Sequence, residues 1–532
     1  MIQKTQIKIL FFSLLLIFLS NSKNSFANDV KIENLRITEN NFLECTVKWE
    51  NSWFFNKELT IISENSTSTA QKDFIFKDGV WCFLKIRTND YKWKHIYLSE
   101  NDVFINNQDS DTELENVEDK GGFFLSSIIR EEKNGSSETS ISIRLPNEIK
   151  NQFGVYDIAL YAIEMVWVDE GSFFVGDGVH SQNALRKASL ENDSTAVKPF
   201  LIDSENEIAV GTAANNLFGN DTEEFPQKNI PNTFPKGYDG FWIMKYEINQ
   251  SQYTDFLNTL TFKQQSNRTA NSPESENGTS ALTSTLPLRN SIFIKVKGNQ
   301  NLNIPATYEV REGKYRACNW LSAEDISAFL DWAALRPITE LEFEKAARGI
   351  THPTKGEFSW GTPYIVDANT IQNDGTENET VTETANFADS AGLAPYNSGI
   401  EFNQLNGVLR NGFGAKGADF STSEFELRLQ AGASFWGVLE LSGNVWEYCV
   451  KTNNTDALSF ARNQIGDGTL DENGNANFLS FDVMQGFIVR GGAWDSVTYP
   501  VGDFRDLSVS ARYYATLPSE NRRGTTGGRG GR

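Results

Sequence analysis

The chain has 532 residues, a formal net charge of −22 and 12% aromatic side chains. That length holds two or three domains at roughly 100–200 residues each, and so many aromatics exclude a globally disordered chain. The acidity excludes non-specific nucleic-acid binding, because neutralising phosphates takes a basic face; it suits solubility and divalent cations better.

The N-terminus comes first. Lys4 and Lys8 precede the short apolar run ILFFSLLLIFLS, and Ser25-Phe26-Ala27 ends on a small residue. This order predicts a secretory signal over residues 1–27. The run is about half as long as the roughly 20 residues that spanning a bilayer takes, and no later stretch is long and apolar enough. The expected location is therefore secreted or periplasmic, with no transmembrane segment after cleavage. Cys45 and Cys82 lie in the N-terminal part, Cys318 and Cys449 in the C-terminal part. One disulfide per part and four buried thiols are both consistent with an oxidising compartment, and spacing does not choose between them.

Residues 28–160 read as all-β. LECTVKWENSW, KDFIFKDGVWCFLKIRT and SISIRLP are short alternating or apolar runs between Asn, Asp, Ser and Gly. They predict a sandwich-like accessory domain. IEMVWVDEGSFFVGDG (163–178) is a near-continuous apolar strand, a turn at Glu170-Gly171 and a second strand, and it sets the boundary near residue 160. Three helices follow. Asn249 and Gln252 open the first, whose Tyr253, Phe256, Leu257 and Leu260 recur at helical spacing. Ser322 caps the second, with Leu321 and Ile326 as a staple. Thr339 and Glu342 form a capping box for the third, which Gly349 ends. Polar insertions near 262–285 and 370–385 predict solvated loops with little to bury. Residues 161–532 thus read as α+β with low regular secondary structure, a few helices among many short strands.

Six segments carry a resemblance. MVWVDEGSFFVGDG, FWIMKYEINQSQYTDFLN, LRPITELEFEKAARG, GVLELSGNVWEYC, VRGGAWDS and SVSARYYA…GGRGGR stand in the order seen in the formylglycine-generating, sulfatase-modifying enzyme family. The chain resembles that family over roughly residues 163–532. The resemblance implies a variant of the C-type-lectin fold. It does not cover the N-terminal β region, whose DGVWCFLKIRTNDYKWKHIYL is similar to an accessory region of some exported bacterial members.

In the family, the segment matching Glu440 to Glu447 wraps a calcium ion, which takes several oxygen ligands at about 2.3–2.6 Å. The resemblance implies carboxylates from Glu440 and Glu447 and backbone carbonyls from Gly443 and Val445, with Gly443 allowing the tight turn. A second calcium site would begin at ANFAD, with Asn386 and the carbonyl of Phe387. The oxidising members also hold copper(I) on a cysteine pair just after the Gly-Gly turn, since a soft cation selects thiolate. Here RGGAWDSVTYPVGDF has no cysteine, and Ser496 and Val501 fall about where the pair would be; no copper is expected. The iron enzymes of the same fold need clustered histidines, whereas His95, His180 and His352 are widely separated. Nor do Asp495 and Ser496 make a triad, because adjacency is not triad geometry and no histidine stands near them in sequence.

The remaining motifs read as structure. Phe435, Trp436, Trp446 and Trp494 belong to the core. Arg336, Arg348, Arg490 and Arg512 tie carboxylates and carbonyls together, five donors to each guanidinium. GGRGGR is a closing strand of the family domain rather than an RNA-binding tail. The expectation is an exported, non-catalytic binding or structural module of the cell envelope. Its surviving cleft would lie around Trp494, Asp495, Ser496 and Arg505, facing an envelope protein or a glycan, with no nucleic acid. The alternatives are a formylglycine-generating oxidase with an atypical site and a calcium-dependent, lectin-like glycan binder.

Overall fold

A computed structural model describes residues 30–60, 71–87, 92–106, 111–128, 135–146, 157–178, 183–188, 197–219, 228–384, 390–396, 406–415, 424–496, 505–512 and 521–532. The expected signal segment, His180, Asn386, Phe387 and Val501 lie outside these residues.

Two sheets face each other at the N-terminal end. One orders the strands Lys31–Ile37, Phe42–Ser52, Gly135–Arg144 and Val103–Ile105; the other orders Phe241–Met244, Asp157–Val168, Gln71–Arg87, Phe123–Ser127 and Thr112–Asn116. Side chains alternate across a strand, so Leu43, Cys45, Val47 and Trp49 of the first sheet meet Val80, Cys82, Leu84 and Ile86 of the second in one buried cluster. The other face of Gln71–Arg87 is buried as well. Trp81 and Phe83 pack with Phe124, Tyr161, Trp242 and Trp332 in the largest core cluster, and the Trp81 indole donates to the Ala333 carbonyl at 2.8 Å. GVWCFL (79–84) is therefore an unbroken apolar run because its strand is the middle layer of three.

The boundary near residue 160 falls inside a strand. Asp157–Val166 pair with Arg87–Asp78, and Met165–Val168 pair with Met244–Phe241. One strand thus belongs to both parts. A buried ion cluster reinforces the junction: the Lys245 ammonium donates to Asp78 at 3.0 Å, to Glu164 at 2.9 Å and to the Asn51 carbonyl at 3.0 Å.

The C-terminal part holds the helices Gln250–Leu257, Ala323–Trp332 and Glu340–Arg348 where caps and periodicity predict them. Asn249/Gln252, Ser322/Asp325 and Thr339/Glu342 each form a reciprocal capping box. The two insertions differ from expectation. The first contains another helix, Phe262–Arg268, capped by Thr261 and Gln264. The buried Gln265 of that helix donates to the Leu257 and Ala306 carbonyls and accepts from the Ala306 N–H. In the second, Glu379 is fully buried and holds Arg316 and Arg289. Both segments bury polar groups by satisfying them, which hydrophobic patterning does not register.

Three of the expected arginines form one buried network, and the fourth, Arg336, makes a buried pair of its own. Glu340 receives Arg490 at 2.9 Å and Arg512 at 2.5 Å; Glu344 receives Arg490 and Arg348, each at 2.8 Å; Arg348 also pairs with Glu357. Arg336 grips Glu342 with two nitrogens, at 2.9 and 2.6 Å. The GGRGGR tail threads this interior. Thr526–Gly527 pairs in parallel with Trp446–Glu447, and Arg529 is fully buried.

Candidate functional site

Three turns converge at one end of the sheet formed by Trp446–Val450, Phe487–Arg490 and Thr526–Gly527. The turn 440–445 is bound to the turn 491–494: the Gly443 N–H donates to the Gly491 carbonyl at 2.8 Å and the Trp494 N–H to the Asn444 carbonyl at 3.0 Å. Ser442 Oγ donates to the Leu507 carbonyl at 2.9 Å, which brings in the one-turn 3₁₀ helix Arg505–Leu507. The expected cleft segments and the expected calcium turn are thus one construction. Its backbone is unusual, with φ of +58° at Glu440, +93° at Gly443 and +62° at Asn444. A side chain at Gly443 would put its Cβ 2.5 Å from the Pro395 carbonyl oxygen, so only glycine fits there.

Asn444 centres the knot. Its Oδ1 accepts the Leu409 N–H at 2.9 Å and its amide donates to Glu247 at 2.6 Å. Nothing in the sequence singles out Glu247. It is buried, accepts the Val445 N–H at 3.1 Å, and brings a third carboxylate to Glu440 and Glu447. Burial, then the charges of Glu447 and Glu440, push the Glu247 carboxyl well above the usual carboxylate range. Burial also raises Glu447 and carries Glu440 up to about 7, against the pull of Arg529 on both.

Of the two carboxylates expected to hold calcium here, Glu447 is already engaged by an arginine. Arg529 donates to both oxygens of Glu447, at 2.6 and 2.7 Å, and to the Leu439, Met244 and Lys245 carbonyls. Glu440 accepts the Gly412 N–H at 2.8 Å through one oxygen, while the other is buried without a hydrogen-bond partner. A fixed guanidinium on Glu447 supplies the neutralising charge and repels a divalent cation from the same carboxylate. Glu247, Glu440 and Glu447 stand near one another, but among the described residues no group of three His, Cys, Asp or Glu side chains is arranged to hold a metal ion.

Trp494 is buried with Ala317, Val408 and Val445, and its indole donates to the Gly524 carbonyl at 3.0 Å. Asp495 is exposed. Ser496 is buried and its hydroxyl accepts the Ala493 N–H at 2.9 Å, so it closes its own turn. All four cysteines are buried free thiols. Cys318 sits in the largest cluster and Cys449 in the one around Phe343 and Trp436. Burial pushes both thiols well above their ordinary range, the reverse of what a thiolate ligand needs. His95 is buried, with Nε2 2.7 Å from the Gly121 carbonyl.

Short sheets strung between buried arginine–carboxylate pairs, knotted at Asn444 and closed by a glycine–arginine tail, define a domain of the sulfatase-modifying class. The chain belongs to that family: the Sulfatase-modifying factor enzyme 1-like domain matches it over residues 155–515. No curated protein is similar enough to match it.

Proposed function

We propose that this protein is a non-catalytic member of the sulfatase-modifying factor family, with the C-type-lectin-like variant of the fold. It is exported to the periplasm or beyond and acts as a binding or structural module of the cell envelope, on an envelope protein or a glycan. One observation carries this reading. At the turn where the oxidising members hold thiols, the chain has Ser496, whose hydroxyl is absorbed by the Ala493 N–H. Cys318 and Cys449 stand in separate apolar clusters, and a soft monovalent metal has no sulfur pair to bind there.

The test is copper(I) titration of the purified protein with oxygen uptake measured on a cysteine-containing peptide. No stoichiometric copper(I) binding and no uptake above the free-ion control are expected. Turnover would reinstate the oxidase reading. A glycan as partner is favoured by a separate feature, the cavity described next.

A further inference from the structure

We propose that the seam between the N-terminal sheets and the family domain holds a binding site for an acidic saccharide. This rests on the reading of the protein as a binding module and names its ligand class. The site is a cavity of about 480 Å³, within the usual range for small-ligand sites and far larger than one oxyanion needs. It lies away from the Asn444 knot. Lys92, Trp93 and Lys94 contribute from the N-terminal part; Thr261, Lys263 and Gln264 contribute from the family domain, together with the segment 468–472.

The cavity is held open by hydrogen bonds across the seam. The Lys85 ammonium donates to the Gly468 carbonyl and the Tyr97 hydroxyl to the Asp467 carbonyl, each at 2.9 Å; within the family domain the Gln264 amide donates to the Asp471 carbonyl at 2.9 Å. At Gly468, with φ of +81°, a Cβ would stand 2.1 Å from His95 Nδ1, so the strap seats on the N-terminal part only as glycine. A site fixed before the ligand arrives loses little entropy in ordering itself.

Its charge opposes that of the whole chain. In a protein of net charge −22, Lys92, Lys94 and Lys263 are exposed at this one cavity. With Lys85, the lining carries four lysines against two acids. Asp471 turns one oxygen onto the N–H groups of Asn473 and Asn475, at 2.8 Å each. Glu472, 93% exposed, reaches Lys263 at only 3.8 Å. The cations are lysines, point charges on flexible stems without the fixed fork that grips phosphate in two places. That suits an anionic group whose position varies along a sugar chain. Trp93 gives an apolar surface with a polar edge, and Thr261, Gln264 and Thr469 supply the hydroxyl and amide groups that sugar hydroxyls pair with.

Isothermal titration calorimetry of the purified protein tests this with a heparin-derived hexasaccharide, an oligogalacturonate, neutral maltohexaose and AMP. Binding of one or both acidic saccharides is expected, weakening as salt rises, without comparable binding of maltohexaose or AMP. Sulfate selectivity or carboxylate selectivity then identifies the anionic group. The pair Lys92→Ala/Lys94→Ala should lose about tenfold in affinity, and Lys92→Arg/Lys94→Arg should restore it. The proposal is overturned if no acidic saccharide binds, if maltohexaose or AMP binds as well as the acidic saccharides, or if the alanine pair binds like wild type while keeping its thermal transition. Oxygen uptake in the copper assay would sink the non-catalytic reading and leave lysine-dependent saccharide binding standing.

Discussion

The guanidinium of Arg529 lies against the carboxylate of Glu447, with Nε and Nη2 on its two oxygens at 2.6 and 2.7 Å, and both side chains are buried. A charge pair of this kind is costly to break from one side, because the survivor stays buried and unpaired. Arg529→Met should therefore lower the unfolding free energy by about 3–5 kcal/mol, read by urea denaturation. Since Arg529 already neutralises Glu447, the wild-type melting temperature should be the same in calcium and in chelator. A clear rise in calcium would mean that an ion displaces the arginine.

Glu440 predicts a pH dependence of opposite sign to ordinary acid unfolding. Its folded carboxyl titrates at about 7 because it is buried, well above its value in an unfolded chain. The folded state therefore binds more protons between these values. The contribution of Glu440 is fully present at low pH and is lost as pH rises toward and through about 7. Glu440→Gln removes this titration. The stability difference between variant and wild type, measured by urea denaturation from pH 5 to pH 8, should shift in favour of the variant as pH rises. A difference that stays flat would show that Glu440 titrates normally.

The strand Asp157–Val168 should make the two parts unfold together. It pairs with Gln71–Arg87 over ten positions, and Lys245 is buried against Asp78 and Glu164 from across the junction. A chain shortened to begin at residue 157 would expose the Trp81-facing side of the family domain and leave Lys245 without Asp78. Expressed alone, it should be insoluble or lack a cooperative melt, whereas the whole chain should melt in one transition by circular dichroism and by tryptophan fluorescence. Two resolved transitions in the whole chain would contradict this.

Much of the frame is legible in the sequence, because local rules acted unopposed. Thr339 and Glu342 encode their capping box within four residues, and Gly349 stops that helix at φ of +72°. The alternation of Leu43, Cys45, Val47 and Trp49 identifies a sandwich face. What is not legible depends on partners far along the chain. Glu247 reaches Asn444 across 197 positions, and nothing in KYEINQ distinguishes a buried acid from a solvated one. Arg529 in GGRGGR gives no sign that it will stand where a cation was expected. The helix Phe262–Arg268 has a readable cap in Thr261 and Gln264, but its buried face sets a single apolar residue, Phe262, beside Gln265 and Arg268, which a search for apolar periodicity passes over.

The cysteines give the last prediction. Cys45 and Cys82 sit in the sandwich cluster on opposing sheets, and burial pushes Cys45 up to about 12 and Cys82 well above its ordinary value. Cys318 and Cys449 are buried in separate clusters. Thiol reagents attack the thiolate and need access to it, so the folded protein should give almost no colour with Ellman's reagent and release four equivalents in urea. The rate of labelling in mild urea should follow the population of the unfolded state, since core elements open with free energies that approach the global value. Rapid labelling of one thiol in the native protein, mapped by mass spectrometry to Cys318 or Cys449, would place a reactive sulfur within the family domain and remove the main physical support for the non-catalytic reading.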